Sequence, residues 1–311
     1  MRRQMRGSFR VARLLGIPIE INYSWFFIFF LVFWTMSMNI FPRTYPLQAE
    51  WRYWVMGLAT TLFLFGSLIL HELAHSVVAR RYDIPIRSIT LFLFGGVSQM
   101  MEEPRTPKSE FYMAVAGPLT SFLLALCCYG LVQLFELWQS PWMFTGVVNH
   151  LFFLNLVIGV FNLLPGFPLD GGRIVRSALW FLTNNLRVAT KIASTLGKGA
   201  AFFLVFAGLA SFFLGGNWLN LIWLTLIAFF LFEAADTSYR QVVIAQKISE
   251  GSVSIRDIMH VFSNEQIVPP EIGVKEALHT MAQLEVEELY VMDNGQLMGV
   301  LRRQEMLEKL Q

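Results

Sequence analysis

Leu62-Phe63-Leu64-Phe65-Gly66-Ser67-Leu68-Ile69-Leu70-His71-Glu72-Leu73-Ala74-His75-Ser76-Val77-Val78-Ala79 reads as an apolar run of bilayer-crossing character that carries two imidazoles and a carboxylate. Ionisable side chains at hydrocarbon depth are costly, so they are functional candidates by default. On a helix, the spacing of four residues puts His71 and His75 on one face, one turn apart, where both rings reach one tetrahedral Zn²⁺. Glu72, between them, lies close enough to take a proton from a zinc-bound water. The alternative is a polar helix patch satisfied by neighbouring helices.

The rest of the composition agrees with a membrane setting. The chain has 311 residues, of which 55% are hydrophobic, including 29 Phe and 9 Trp. Its mean hydropathy is +0.51, far more apolar than a soluble domain with an ordinary polar surface. Apolar segments long enough to cross ~30 Å of hydrocarbon fall at about 21–41, 54–80, 111–135, 146–164, 194–214 and 217–235. The fold class is therefore a polytopic α-helical membrane protein with six transmembrane helices.

Basic residues give the orientation. Arg2, Arg3, Arg6, Arg10 and Arg13 precede the first span, and Arg80, Arg81, Arg87, Arg105 and Lys108 follow the second. Arg173, Arg176, Arg187, Lys191 and Lys198 lie after the fourth, whereas the opposite loops hold only Arg43 and Arg52. The positive-inside rule then puts both termini in the cytoplasm, and the compact plan fits a plasma membrane. A net charge of +2, scattered along loops, forms no stripe for nucleic acid, so no nucleic-acid partner is expected. The first apolar run is longer than a signal h-region and is expected to stay attached. Cys127 and Cys128, adjacent on an apolar helix, are expected to be small packing residues.

A zinc held by two His needs a third protein ligand and an open position. Asp170 is the best placed, within Asn162-Leu163-Leu164-Pro165-Gly166-Phe167-Pro168-Leu169-Asp170-Gly171-Gly172-Arg173. Its prolines and glycines break the fourth helix before an amphipathic helix running from Gly171 toward Trp180. Broken backbone at that depth is tolerated only against protein or a wet cavity, so the carboxylate turns inward, on the side where the His pair also lies. The competing role for Asp170 is an N-cap. His150 and Glu136 lie toward the opposite face, and Glu233 and Asp236 at the cytoplasmic end of the last span, which makes all four poor ligands.

With both motifs in order, residues 10–240 resemble the site-2 protease family of intramembrane zinc metalloproteases. The resemblance rests on H-E-L-A-H at 71–75 and N-L-L-P-G-F-P-L-D-G-G at 162–172. G-I-P-I-E-I-N-Y-S-W at 16–25 resembles the family's entry segment, with Asn22 where the family often has His, and L-F-L-F-G-G-V at 91–97 resembles its membrane-embedded hairpin. The resemblance implies that His71, His75 and Asp170 bind Zn²⁺, that Glu72 is the general base, and that Asn162 helps polarise the scissile carbonyl. An amide capping the broken helix is the other role open to Asn162. The implied activity is endoproteolysis of a transmembrane segment of another protein near the cytoplasmic side, as in regulated intramembrane proteolysis.

Residues 86–100 are β-prone around Gly95-Gly96 and too short to span. They are expected to form a hairpin whose edge pairs with an unwound substrate, with Gly95 and Gly96 positioning it, or else a loop at the interface.

The domain plan is a membrane domain over 1–240, a linker over 241–250 and a small domain over 251–311. In the last, a helix at Val253–Met259, a strand at Ile267-Val268, a helix from Val274 to Leu284, strands at Leu289–Met292 and Leu297–Leu301 around Asp293-Asn294-Gly295, and a helix from Arg303 resemble one CBS motif. One motif leaves a sheet face apolar, so a homodimer through this domain is expected. The stretch 299–305 lacks the Thr and Asp of nucleotide-binding members, which argues against an adenosine ligand. The alternative function is a metal ion transporter regulated by the CBS module. Glu72 between the two His favours hydrolysis, because a transport site has no need of a base there.

Overall fold

The computed structural model describes residues 7–93, 95–216, 218–249, 264–284, 286–293, 296–304 and 306. The chain divides into two compact units, Met1–Ala245 and Gln246–Gln311.

The first unit opens with an antiparallel pair, β1 (Ser8–Leu14) and β2 (Ile17–Asn22), joined by the two-residue turn Leu15-Gly16. A first apolar helix follows as α1 (Ser24–Thr35), a π-helical turn Met36–Ile40, and α2 (Phe41–Thr44). Next come α3 (Glu50–Arg81), β3 (Ile86–Phe92), β4 (Gly95–Met100), α4 (Pro107–Leu137), α5 (Trp142–Asn162), α6 (Asp170–Thr183), α7 (Leu186–Gly215) and α8 (Trp218–Ser249). Among the described residues six helical stretches are long and apolar enough to cross a membrane: 24–44, 50–81, 107–137, 142–162, 186–215 and 218–246. Each overlaps an expected span. Their outward faces carry large apolar side chains such as Phe30, Phe63, Leu126 and Phe203, all more than half exposed. An apolar surface of this extent is stable in contact with lipid and unfavourable in water. The 241–250 stretch, expected as a linker, is helical as far as Ser249.

The β-rich stretch 86–100 does form a hairpin, within a larger sheet than expected. The strand order is β1-β2-β3-β4, with β2 and β3 parallel through Ile19↔Ile89 and Ile21↔Leu91. Ile17, Ile19 and Ile89 form its buried core and pack on Ile69 and Leu73 of α3, which seats the sheet on the helix that carries the His pair. β4 is an edge strand of that sheet.

The helix break behaves as its composition requires. α5 ends at Asn162, α6 starts at Asp170, and a Cβ on Gly171 would fall 2.3 Å from the Leu164 carbonyl oxygen, so the loop folds tightly onto the first turn of α6. Arg176 locks α6 in place. Its guanidinium pairs with Glu110 of α4, contacts Glu103 at 3.1 Å and lies 5.0 Å over the Phe167 ring. Glu110 is 0% exposed and Arg176 4%. Burial opposes the charge on Arg176, and Glu110 and Glu103 outweigh it and move its pKa upward. Cys127 is exposed on α4, so the packing role expected of it does not hold.

In the second unit β5 (Ile267–Val268) pairs parallel with β6 (Glu288–Asp293), which pairs antiparallel with β7 (Gln296–Arg302). The helix Val274–Gln283 closes a core of Val268, Ala277, Met281 and Leu289. The expected helix at Val253–Met259 and the Asn294-Gly295 turn lie outside the described residues, as does most of the closing helix expected from Arg303.

Removing one partner of a buried ion pair strands the other charge and costs roughly 3–5 kcal/mol. Arg176→Met is expected to lower the thermal unfolding midpoint of the full chain in detergent, and Arg176→Met with Glu110→Leu to recover much of the loss, because the second change removes the stranded carboxylate.

Candidate metal centre

His71 and His75 face the same side of α3, and Asp170 reaches them from the first residue of α6. Asp170 Oδ2 lies 3.1 Å from His71 Nε2 and 3.2 Å from His75 Nε2. One ligand atom from each of the three residues falls within 4.8 Å of the others. Zinc with N and O ligands at about 2.0–2.1 Å spaces tetrahedral ligand atoms roughly 3.3 Å apart, so the donor set fits such an ion.

The far side of each ring is also occupied. His75 Nδ1 is 2.7 Å from the Met113 carbonyl oxygen, which can only accept, so Nδ1 carries the proton and the neutral ring presents its Nε2 lone pair to the cluster. His71 Nδ1 is 2.8 Å from Ser121 Oγ, whose hydroxyl accepts in the matching tautomer. Both partners sit on α4. Such outer hydrogen bonds fix ring orientation and raise ligand basicity. Asp170 does not act as the N-cap of α6: Leu169 holds that position with no side-chain bond, and the Asp170 carboxylate points at the imidazoles.

α4 comes close enough for these bonds only because of Gly117. A Cβ there would lie 2.1 Å from His75 Nε2 and 2.4 Å from His71 Nε2. Sequence reasoning missed Gly117, Met113, Ser121 and Ser98. Gly117-Pro118 inside a long apolar helix was the one available signal.

Glu72 is held against β4. Ser98 Oγ lies 2.8 Å from its Oε2, and a Cβ on Gly96 would come 2.7 Å from its Cγ. Gly95 adopts φ +126°, in the region open to glycine. Asn162 donates one amide N–H to the Ile158 carbonyl at 3.1 Å and has a second N–H. A cavity of about 180 Å³ is lined by His71, Glu72, His75, Asn162, Asp170 and Arg173, with Gly95 and Gly96 at its border. An apolar cavity of about 480 Å³ shares Leu68, Gly95, Gly96, Val97, Asn162 and Pro168 with it and extends between α1, α5 and α8. The residues set aside from sequence stay outside the cluster: His150 bonds the Gly146 carbonyl and packs on Phe41, while Asp236 pairs with Lys198 and Arg240.

Residues 59–140 and 136–207 match the sequence profile of Peptidase family M50, and 255–311 match the CBS domain. The chain is 34% identical over 277 residues to sll0528 of Synechocystis, covering 88% of this chain and 69% of that protein. It is 33% identical over 297 residues to Zinc metalloprotease MJ0392 of Methanocaldococcus jannaschii, covering 96% and 78%. Against Rip3 of Mycobacterium tuberculosis it is 38% identical over 231 residues, which span 74% of this chain and 58% of Rip3. The solved site-2 protease of Methanocaldococcus jannaschii superposes with a TM-score of 0.52 at 30% identity, over 75% of this chain and 95% of that one.

Gly117→Val is expected to push the two imidazoles apart and abolish transition-metal retention in the purified protein. Gly130→Ala, on the same helix with open space around it, is expected to leave metal content at the wild-type level. Elemental analysis after dialysis against a weak chelator reads both.

Proposed function

This chain belongs to peptidase family M50, and we propose that it is an intramembrane zinc endopeptidase that cuts a transmembrane segment of another membrane protein near the cytoplasmic side. The observation that carries the reading is the convergence of His71, His75 and Asp170 beside a carboxylate that is free of that cluster. In this reading His71, His75 and Asp170 hold Zn²⁺. Zinc so bound supplies a Lewis acid and lowers the pKa of water to about 7.

Glu72 neighbours both ligands on α3 and takes the proton of the attacking water, then returns it to the leaving amine, which makes it base and acid in turn. Asn162 offers its second N–H to the carbonyl oxygen on which charge develops. The free edge of β4, with Gly95 and Gly96 at its start, accepts the unwound substrate as an added strand. The apolar cavity between α1, α5 and α8 gives that segment a path out of the lipid.

Charge supports the cytoplasmic side. His75 is five residues from Arg80 at the end of α3, about 7.5 Å along the axis, and Asp170 is followed directly by a stretch with Arg173 and Arg176. Lys and Arg concentrate on the cytoplasmic side of such proteins. The proposal therefore has a multi-pass plasma-membrane protein with cytoplasmic termini, whose cut releases a cytoplasmic fragment. The CBS unit presents Met298 and Val300 outward on β7, which supports a homodimer through that sheet.

Zinc content and cleavage, measured together, test the assignment. Wild type is expected to hold near-stoichiometric zinc and cut a labelled single-span peptide whose apolar segment is interrupted by Gly and Pro. Asp170→Ala is expected to lose the zinc, and Glu72→Gln to keep it while turnover falls at least about a thousandfold, in the range of losing a principal acid–base group. Zinc kept in Asp170→Ala, or full turnover in Glu72→Gln, would overturn the assignment.

A further inference from the structure

Resting on the peptidase reading, we infer that Ser98 is a positioning residue: from β4 its hydroxyl orients the Glu72 carboxylate, so one strand holds both the general base and the edge that receives substrate.

Three distances define the contact. Ser98 Oγ is 2.8 Å from Glu72 Oε2, 3.1 Å from the Glu72 carbonyl oxygen and 3.1 Å from Ser76 Oγ. A hydroxyl has a single proton to give, and an ionised carboxylate is the strongest acceptor of the three. Ser98 therefore donates to Oε2, and the Ser76 hydroxyl donates to Ser98 Oγ. Ser76 is fully buried and stands one turn beyond Glu72 on the same face of α3, so this second hydroxyl is fixed where Ser98 needs it. With Oε2 engaged, Oε1 is left to receive the proton.

The backbone of β4 adds a steric limit to the polar one. At Gly96, two residues before Ser98 on the same face of the strand, a Cβ would fall 2.7 Å from the Glu72 Cγ, so any side chain there would displace it. A glutamate has three rotatable bonds. Here the stem is bounded by Gly96 and the head is tied by Ser98, both on β4. The next residue on that face, Met100, packs into the cluster of Ala79, Ile84 and Met113, which anchors the strand to α3 and α4. A peptide that adds to the outer edge of β4 thus pairs with the backbone that orients the base.

Turnover by the zinc-loaded full chain in detergent, with the labelled single-span peptide as probe, tests this. Ser98→Ala is expected to lower kcat roughly 10–100-fold, the range for an outer partner of a catalytic group, with KM, zinc content and thermal midpoint near wild type. Ser98→Thr, which keeps the hydroxyl, is expected to restore most of kcat. Wild-type kcat in Ser98→Ala overturns the inference, as does an equal loss in Ser98→Thr, since the hydroxyl would then be irrelevant. Should Ser98→Ala lose zinc or unfold, Ser98→Cys decides: its weak thiol donor depresses kcat if the inference holds, and full kcat overturns it. A wild-type chain that carries zinc and cuts nothing sinks the peptidase reading, and this inference with it.

Discussion

Asp170 must meet two imidazoles contributed by a helix nearly a hundred residues earlier in the chain, and most of the first unit can be understood as what makes that meeting possible. None of the three groups tolerates an apolar interior alone. A 32-residue helix fixes the His pair, and the broken end of α5 returns the chain to it. α4 packs against both, bare at Gly117, and supplies a partner to each outward ring nitrogen through Met113 and Ser121. The buried pairing of Arg176 with Glu110 then ties the Asp170 helix to that same α4. Both outer hydrogen bonds of the imidazoles and the buried tie of the Asp170 helix run through α4, although α4 contributes no ligand.

The sheet serves the centre differently. β2 and β3 are seated on α3 by isoleucines, with Ile17, Ile19 and Ile89 all nearly inaccessible. Among the described residues β4 pairs along one edge only, with β3, while its Ser98 and Met100 side chains reach α3 and the cluster on α3 and α4. An edge strand offers a row of unpaired backbone groups, which soluble proteins tend to blunt because it invites association. Here the open edge lies beside the Glu72 carboxylate, where association with an extended peptide is what the proposed reaction requires.

Much of this was legible from sequence because its signals are local. Span positions follow from hydropathy, the His pair from a four-residue spacing, and the break before Asp170 from Pro165, Gly166 and Pro168. The strand β1 was not anticipated: its arginines read as an orientation signal, and only pairing with β2 makes Ser8–Leu14 a strand. The supporting polar contacts were equally hidden. Ser98 to Glu72 spans 26 positions, His71 to Ser121 spans 50, and Arg176 to Glu110 spans 66. Serines in apolar helices and strands have many uses, so nothing in their neighbourhood distinguishes the one that touches a functional group. Asn162 shows the same limit in reverse, since its bond to Ile158 is the local role and its place on the cavity wall the non-local one.

Hydrolysis within a bilayer requires water and an accessible amide at one point, and the helix form of a membrane segment denies the second. An amide in a spanning helix is bonded to the carbonyl four residues back, and freeing it in lipid without a substitute costs several kcal/mol. The two adjoining cavities divide the problem. One is lined by His71, Glu72, Ser98 and Arg173 and suits water; the other, lined by Ile28, Phe65, Trp223 and Phe230, suits an apolar segment. They share Gly95, Gly96, Val97 and Asn162. In the proposed reaction a segment leaving its helix at that border finds the β4 edge, where bonds lost within the helix are replaced by bonds to a strand. The exchange keeps the backbone satisfied at each step, which is the condition for unwinding a helix where water is scarce. The proposed exchange also puts the newly extended amide next to the strand that carries Ser98, so that in this reading substrate unwinding and orientation of Glu72 depend on the same short segment of chain.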